Sequence, residues 1–213
     1  MAGSIERLFV TSLYRAPLKT RALPEFVREL TRSCEAIARA DVAGQRWSRR
    51  HGYAGYTSYA SLDDLPWRDP VIAELVRHLD RHVARFARAT DMDLGDRPLE
   101  LDSLWINRLD PGGMHSGHIH PHSIVSGTVY VALPPGASGL KFEDPRSGLM
   151  MAAPTRRAGA RRHNLGFVEV KPEPGDVLLW ESWLRHEVPP TRSARERVTV
   201  SFNYGQSGVG QRE

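Results

Sequence analysis

Four of the nine histidines fall close together, at positions 115, 118, 120 and 122. Imidazole is the most common protein ligand for transition metals. In a β-strand, residues two positions apart point to the same face. Either His118 and His120, or His120 and His122, could therefore bind one ion from a single strand. The cluster predicts a transition-metal site whose remaining ligand comes from elsewhere in the chain.

His186 is the best candidate for that third ligand, because it follows a strand-like run at 177–180. Arg197 lies further along, and the apolar run Val198–Tyr204 follows it. In an antiparallel hairpin, His186 and Arg197 would lie near each other. A guanidinium beside a metal can form a two-point pair with the far carboxylate of an oxo-acid held by that metal. The spacing therefore predicts a metal site with an adjoining carboxylate site.

The C-terminal half must position these residues, and it has the pattern of an antiparallel β-structure. Short apolar runs alternate with Gly and Pro turns, at 99–109, 124–133, 140–142, 166–170, 177–180 and 198–204. Such spacing is typical of a sandwich or barrel. Within the first run, Asn107 falls on the opposite face from Ile106, which directs its amide inward to orient a ligand.

The N-terminal half predicts a strand within 5–14 and helices near 24–40 and 70–90, with Asp69 as N-cap of the second. We expect one domain over 1–213, made of an N-terminal α/β portion (1–98) and a metal-binding core (99–205). Residues 144–163 contain five arginines and two prolines and are expected to form a long binding loop.

The composition of the chain excludes several classes of protein. The chain has 213 residues, 40% hydrophobic and 25% charged, so it can bury a substantial core. One cysteine excludes an internal disulfide framework and a cysteine-rich zinc module. No run reaches the roughly 18 apolar residues of a membrane span, and no secretory leader is visible, so we expect a cytoplasmic protein. The net charge of +4 is mild and no nucleic-acid motif is present, which disfavours a nucleic-acid partner.

The stretch from about Trp105 to Tyr204 resembles the oxygenases that use Fe(II) and 2-oxoglutarate, and more closely an uncharacterised bacterial and phage branch of them. The matching motifs are HIHP at 118–121, SGTVYV at 126–131, FEDPR at 142–146, PGD at 174–176, and His186 through Arg197. The resemblance implies a mainly β fold with a double-stranded β-helix core, a cupin-like jelly roll, with the N-terminal helices packed outside. It implies His118 and His186 as iron ligands. Arg197 would bind the far carboxylate of 2-oxoglutarate, helped by the Tyr130 hydroxyl.

One departure from the family pattern bears on the metal. The usual triad is two histidines and a carboxylate, whereas this chain has His118-x-His120. Three histidines could also hold Zn, Ni, Cu or Mn. The nearest alternative carboxylates are Asp110, Glu143 and Asp144.

The leading hypothesis is a 2-oxoglutarate-dependent Fe(II) oxygenase, a hydroxylase that acts on a small molecule or peptide. The alternatives are a three-histidine dioxygenase that needs no 2-oxoglutarate and a metal- or ligand-binding jelly roll without catalytic activity. Arg197 separates them, because only the first hypothesis requires it.

Overall fold

The structure is a computed structural model that describes residues 3–18, 20 and 22–206. Within these ranges the α-helices are α1 (Leu23–Ala40), α2 (Val42–Arg50), α3 (Leu65–Arg68) and α4 (Pro70–Ala89), and short 3-10 helices cover Ser147–Leu149 and Arg162–Asn164. No helix in the described ranges is long and apolar enough to cross a membrane.

The two predicted helices correspond to α1 and α4. Both bury one apolar stripe, as the spacing of their hydrophobic residues requires. The Asp69 side chain accepts hydrogen bonds from the backbone amides of Val71 and Ile72, so the predicted N-cap is confirmed. The short helices α2 and α3 were not predicted.

The strands are β1 (Tyr14–Pro17), β2 (Gly55–Thr57), β3 (Glu100–Leu109), β4 (His115–His118), β5 (Val125–Ala132), β6 (Leu140–Glu143), β7 (Phe167–Val170), β8 (Asp176–Glu181), β9 (His186–Val188) and β10 (Arg197–Gly205). They form a six-stranded sheet in the order β1-β8-β5-β10-β3-β2 and a four-stranded sheet in the order β4-β9-β6-β7. Neighbouring strands pair antiparallel. This is the jelly-roll core that the sequence predicts.

Two expectations about strands are wrong. The predicted opening strand within 5–14 pairs with the sheet only from Tyr14, where β1 begins. His186 and Arg197 do not share a hairpin, because β9 pairs with β4 and β6 in the smaller sheet, whereas β10 pairs with β3 and β5 in the larger one. The two side chains nevertheless line the same cavity between the sheets.

Alternation along the strands of the larger sheet separates an apolar outer face from a mixed inner face. The outer face packs against α1 and α4 in the main core, where Val200 and Phe202 of β10 are fully buried. On the inner face of the same strand, Arg197, Thr199 and Ser201 line the cavity between the sheets. The helices therefore stabilise the sheet from outside and leave its inner face for polar chemistry.

Candidate metal and cosubstrate site

Three histidines converge at one end of the cavity. Each of His118, His120 and His186 offers a ring nitrogen, and these nitrogens lie within 4.8 Å of one another. His118 ends β4 and is the register partner of His186, which begins β9. His120 lies beyond the end of β4 and is fixed by a backbone hydrogen bond from its amide to the Ser182 carbonyl, 3.0 Å away. The predicted strand thus stops at His118, but the loop after it still brings His120 into the cluster.

The Nδ1 atom of each of these rings already has a protein partner. Nδ1 of His118 lies 2.7 Å from the Ser116 carbonyl oxygen, and Nδ1 of His186 lies 2.9 Å from that of Leu184. Carbonyl oxygens only accept hydrogen bonds, so both nitrogens carry the proton. Nδ1 of His120 lies 2.6 Å from the side-chain oxygen of Asn203. Nε2 is left with a lone pair in each ring, which is the arrangement found behind metal-bound histidines.

Burial keeps two of the three imidazoles neutral. It lowers the pKa of His186 to about 3 and also lowers the pKa of His120, and the neighbouring histidines act in the same direction. A protonated ring cannot bind a metal, so a lowered pKa favours the ligating form. The donor set fits a transition-metal ion.

The alternative ligands lie outside this cluster. His122 is exposed in a turn with a left-handed backbone, φ 71°. Glu143 and Asp144 form ion pairs with Arg185 and Arg146 respectively. Asp110 has its pKa raised by burial and by the carboxylate of Glu196. Among the described residues, no carboxylate joins the three histidines within the same distance.

Arg197 is buried in the cavity at 2% exposure. Its Nε donates to the Ser138 carbonyl at 2.8 Å, and one terminal nitrogen lies 3.3 Å from the Thr199 hydroxyl. Within the described part of the chain no carboxylate forms an ion pair with it. Burial lowers the pKa of this guanidinium. A buried charge without a counter-ion is costly, which suggests that an anion completes the site.

Two further polar atoms of the interior can still donate a hydrogen bond. Among the described residues, the Tyr130 hydroxyl and the Trp180 indole nitrogen are buried side-chain atoms without a well-aligned hydrogen bond, and the Tyr130 hydroxyl interacts with the Arg197 guanidinium. Tyr130 has its ring centroid 5.2 Å from the Arg197 guanidinium, and Trp180 lines the cavity. Buried polar groups are normally paired, so unpaired ones beside a cavity call for a ligand. Both groups can donate, as can Arg197, which fits an acceptor-rich ligand such as a dicarboxylate.

Asn107 points into the cavity, but its amide is engaged by protein groups. Its oxygen accepts from the Thr57 hydroxyl at 2.9 Å and the Tyr53 hydroxyl at 3.1 Å, and its nitrogen donates to Ser201. The Tyr53 hydroxyl also lies 2.7 Å from Nε2 of His115. Asn107 thus orients residues of the cavity wall.

His115 and Tyr53 were missed as site residues. His115 lines the cavity, and burial together with the charge of Arg197 lowers its pKa to about 4. The strand register shifts between His115 and His118, so simple alternation could not place both on one face. Tyr53 lies in the segment before β2, 62 positions before His115 in the sequence. Its aromatic ring indicated a buried residue but gave no sign of a place in this site.

The comparisons with known proteins agree with this geometry. Residues 103–203 match the family model described as "Putative 2OG-Fe(II) oxygenase". No curated protein matches the chain.

Solved structures with the same fold include a Pseudomonas putida prolyl-4-hydroxylase, at 18% identity and TM-score 0.56 over 94% of this chain and 91% of that one. HygX from Streptomyces hygroscopicus, with nickel and 2-oxoglutarate bound, is 16% identical with TM-score 0.58 over 93% and 83%. The epimerase SnoN from nogalamycin biosynthesis is 14% identical with TM-score 0.63 over 92% and 76%.

The matched segment contains β4 through β9, most of β3 and β10, and every residue of the histidine cluster. On this match the segment 103–203, just under half of the chain, is similar to the 2OG-Fe(II) oxygenases, the iron enzymes that use 2-oxoglutarate as cosubstrate. The match names no substrate.

Proposed function

We propose that His118, His120 and His186 hold the iron and that Arg197 binds the far carboxylate of 2-oxoglutarate. The observation that carries this proposal is the buried Arg197, which has no carboxylate partner in the described chain and lines the same cavity as the three histidines. A dicarboxylate would supply the missing counter-ion and still present its oxo-acid end to a metal.

The remaining groups of the cavity would position the cosubstrate. Tyr130 would donate its unpaired hydroxyl to the carboxylate that Arg197 binds. Asn107 would hold the Tyr53 hydroxyl and, through it, His115 in fixed orientations beside that carboxylate. Because these groups are already held by the protein, little side-chain freedom is lost when the anion binds.

Iron with bound 2-oxoglutarate supplies oxidation of a substrate C–H bond by dioxygen, with 2-oxoglutarate converted to succinate and carbon dioxide. The chain's part would be to fix three imidazoles, bury the anion and keep bulk water out of the cavity. Ser116, Leu184 and Asn203 hold the protons of the three rings on Nδ1, so no ring has to reorient when the ion binds.

Hydroxylation of a small molecule or a peptide, in the cytoplasm, is the finer part of this proposal. One similar structure is a prolyl-4-hydroxylase and another is an epimerase, so the fold alone does not choose the reaction.

Succinate release tests the proposed function. The iron-loaded protein, incubated aerobically with 2-oxoglutarate, should release succinate above a control with Fe(II) but no protein, and His186→Ala should fall to that control. Arg28→Ala, at an exposed position on α1, serves as the matched control and should equal wild type. Wild-type protein that retains iron but releases no succinate would contradict the proposal.

A 2-oxoglutarate-independent dioxygenase is the second candidate, and the three-histidine set favours it. In that enzyme Arg197 would have no ligand to bind. Oxygen consumption that needs iron but not 2-oxoglutarate would select it.

A further inference from the structure

A large groove lies behind His186, separated from the metal cavity by Phe142 and Leu184. Its sides are the N-terminal segment 5–13 and the connection between β6 and β7, residues 144–166, and its volume is about 860 Å³. No lining residue is shared with the metal cavity. Phe142 and Leu184 form the wall between them: the Phe142 ring centroid lies 6.0 Å from that of His186, and the Leu184 carbonyl binds Nδ1 of His186. The groove is therefore a separate compartment.

One side of the groove is rich in positive charge. The sequence from 145 to 168 contains five arginines and no acidic residue. Arg146 is paired with Asp144. In the described ranges no carboxylate forms an ion pair with the other groove arginines of this connection, Arg156, Arg161 and Arg162. Surface arginines usually find only water, but here several of them line one concavity.

The opposite side carries aliphatic side chains next to Glu6 and Arg7. Leu8 and Val10 of the N-terminal segment line the groove while they remain 67% and 72% exposed. Leu13 continues this side toward the core and packs against the cluster that contains Leu184, and Met150 adds a flexible apolar side chain from the facing connection. Exposed apolar side chains that gather in one concavity, rather than singly, mark a ligand or partner site.

We propose that this groove binds an amphipathic anion: one carboxylate or phosphate head held by Arg161 and Arg162, and an aliphatic body against Leu8 and Val10. Guanidinium groups form two-point pairs with both kinds of head. The volume is within the range of small-molecule sites, which is roughly 300–1,000 Å³. A nucleic acid would leave the aliphatic side unused. This site does not depend on iron or on 2-oxoglutarate.

Titration calorimetry with short-chain probes tests the site. Octyl phosphate and octanoate, below their micellar concentrations, should each bind saturably at one per chain. Inorganic phosphate lacks the body and 1-octanol lacks the charge, so each should bind at least about tenfold more weakly. The Arg161→Ala/Arg162→Ala double variant should lose at least about tenfold in affinity for octyl phosphate, a loss of about 1.4 kcal/mol. Arg28→Ala, which removes an exposed arginine outside the groove, should bind like wild type.

Trypsin locates the bound probe. Octyl phosphate should slow cleavage after Arg161 and Arg162 in wild type, but not in Leu8→Ser/Val10→Ser, where the apolar contacts are lost. All titrations are made with metal-free and with iron-loaded protein, and equal affinities are expected. If iron-loaded wild-type protein bound octyl phosphate but released no succinate, the proposed function would be contradicted and the groove proposal would stand.

Several results would overturn the inference. They are the absence of saturable octyl phosphate binding, equal binding by the double variant and wild type, and protection that is unchanged in the Leu8/Val10 variant. Binding of a single-stranded oligonucleotide through Arg161 and Arg162, without binding of octyl phosphate, would replace it with a nucleic-acid surface.

Discussion

Neutral ligands determine the electrostatics of the proposed iron site. With His120 where the family pattern has a carboxylate, the protein offsets none of the ion's charge in the first coordination shell. The nearby Arg197 adds another positive charge. A dianionic cosubstrate would offset two of these three positive charges, so its binding is expected to be favoured electrostatically.

The histidine assignment can be tested by metal content. We expect His118→Ala and His186→Ala to lose stoichiometric Fe(II), because two imidazoles cannot close the site. His122→Ala is the matched control: this histidine lies only two positions from His120, but it is exposed outside the cluster, so the variant should keep its iron. Metal analysis after anaerobic loading measures all three. Wild-type iron content in both ligand variants would refute the assignment.

Tyr130→Phe isolates the unpaired hydroxyl. A hydrogen bond to a charged group contributes about 1.5–3 kcal/mol, so loss of this one should weaken 2-oxoglutarate binding roughly tenfold or more. The ligand-free variant should keep a Tm close to that of wild type, because the buried hydroxyl makes no well-aligned hydrogen bond and contacts only the Arg197 guanidinium among the described polar groups that could bond to it. Calorimetry and thermal unfolding measure the two effects. A lower Tm with unchanged affinity would mean that the hydroxyl serves folding rather than the cosubstrate.

Residue types and spacing were sufficient to single out His118, His120, His186 and Arg197, which line one cavity. His115 was beyond such reasoning, because a register shift in β4 turns it inward and no local sequence rule gives the position of that shift.

At the scale of elements, long periodic segments were predictable and short ones were not. The helices α1 and α4 and the strands β3, β5 and β10 each carry enough apolar residues to reveal their period. β9 has only three residues, which is too short for its sequence to show which strand it pairs with. A hairpin with β10 and the observed pairing with β4 and β6 are therefore equally compatible with its residues. The pairing of β9 is set by contacts with strands that are distant in sequence.

Gly127 is required by the packing of β5. A Cβ atom there would lie 2.6 Å from Cδ2 of Leu179 and closer still to the Phe202 ring. We expect Gly127→Ala to destabilise the protein by about 1–3 kcal/mol through overpacking. Urea unfolding measures it, with Gly166→Ala as control, since a Cβ at Gly166 meets nothing within 4 Å. Equal midpoints for the two variants would contradict this account of β5.

The N-cap of α4 can be tested in the same way. Asp69→Ala removes the acceptor for the amides of Val71 and Ile72 and should cost about 1 kcal/mol. Asp69→Asn keeps an acceptor oxygen and should recover most of the loss. The urea midpoints of both variants decide this, and equal losses would show that the carboxylate charge, rather than capping, matters.

At the scale of the whole molecule, the protein has two separate compartments: the cavity between the two sheets and the groove on the other side of Phe142 and Leu184. The cavity proposed for iron and cosubstrate is small, at about 70 Å³, and lies between the sheets. The basic and aliphatic groove is formed by the segments that vary most freely in a jelly roll, a terminus and a long connection. The core therefore carries the similarity to the 2OG-Fe(II) oxygenases, whereas the groove is formed by parts of the chain that no motif describes.

The binding of 2-oxoglutarate to the iron-loaded protein tests the central claim most directly. Anaerobic calorimetry should give one site per chain in wild type. Loss of one partner of a buried charge pair costs about 2–5 kcal/mol, so Arg197→Ala should bind roughly thirtyfold more weakly or worse and still retain its iron. Arg197→Lys should recover only part of the affinity, because an ammonium cannot form the two-point pair. Absence of 2-oxoglutarate binding to iron-loaded wild type, or equal affinity in Arg197→Ala, would contradict the account.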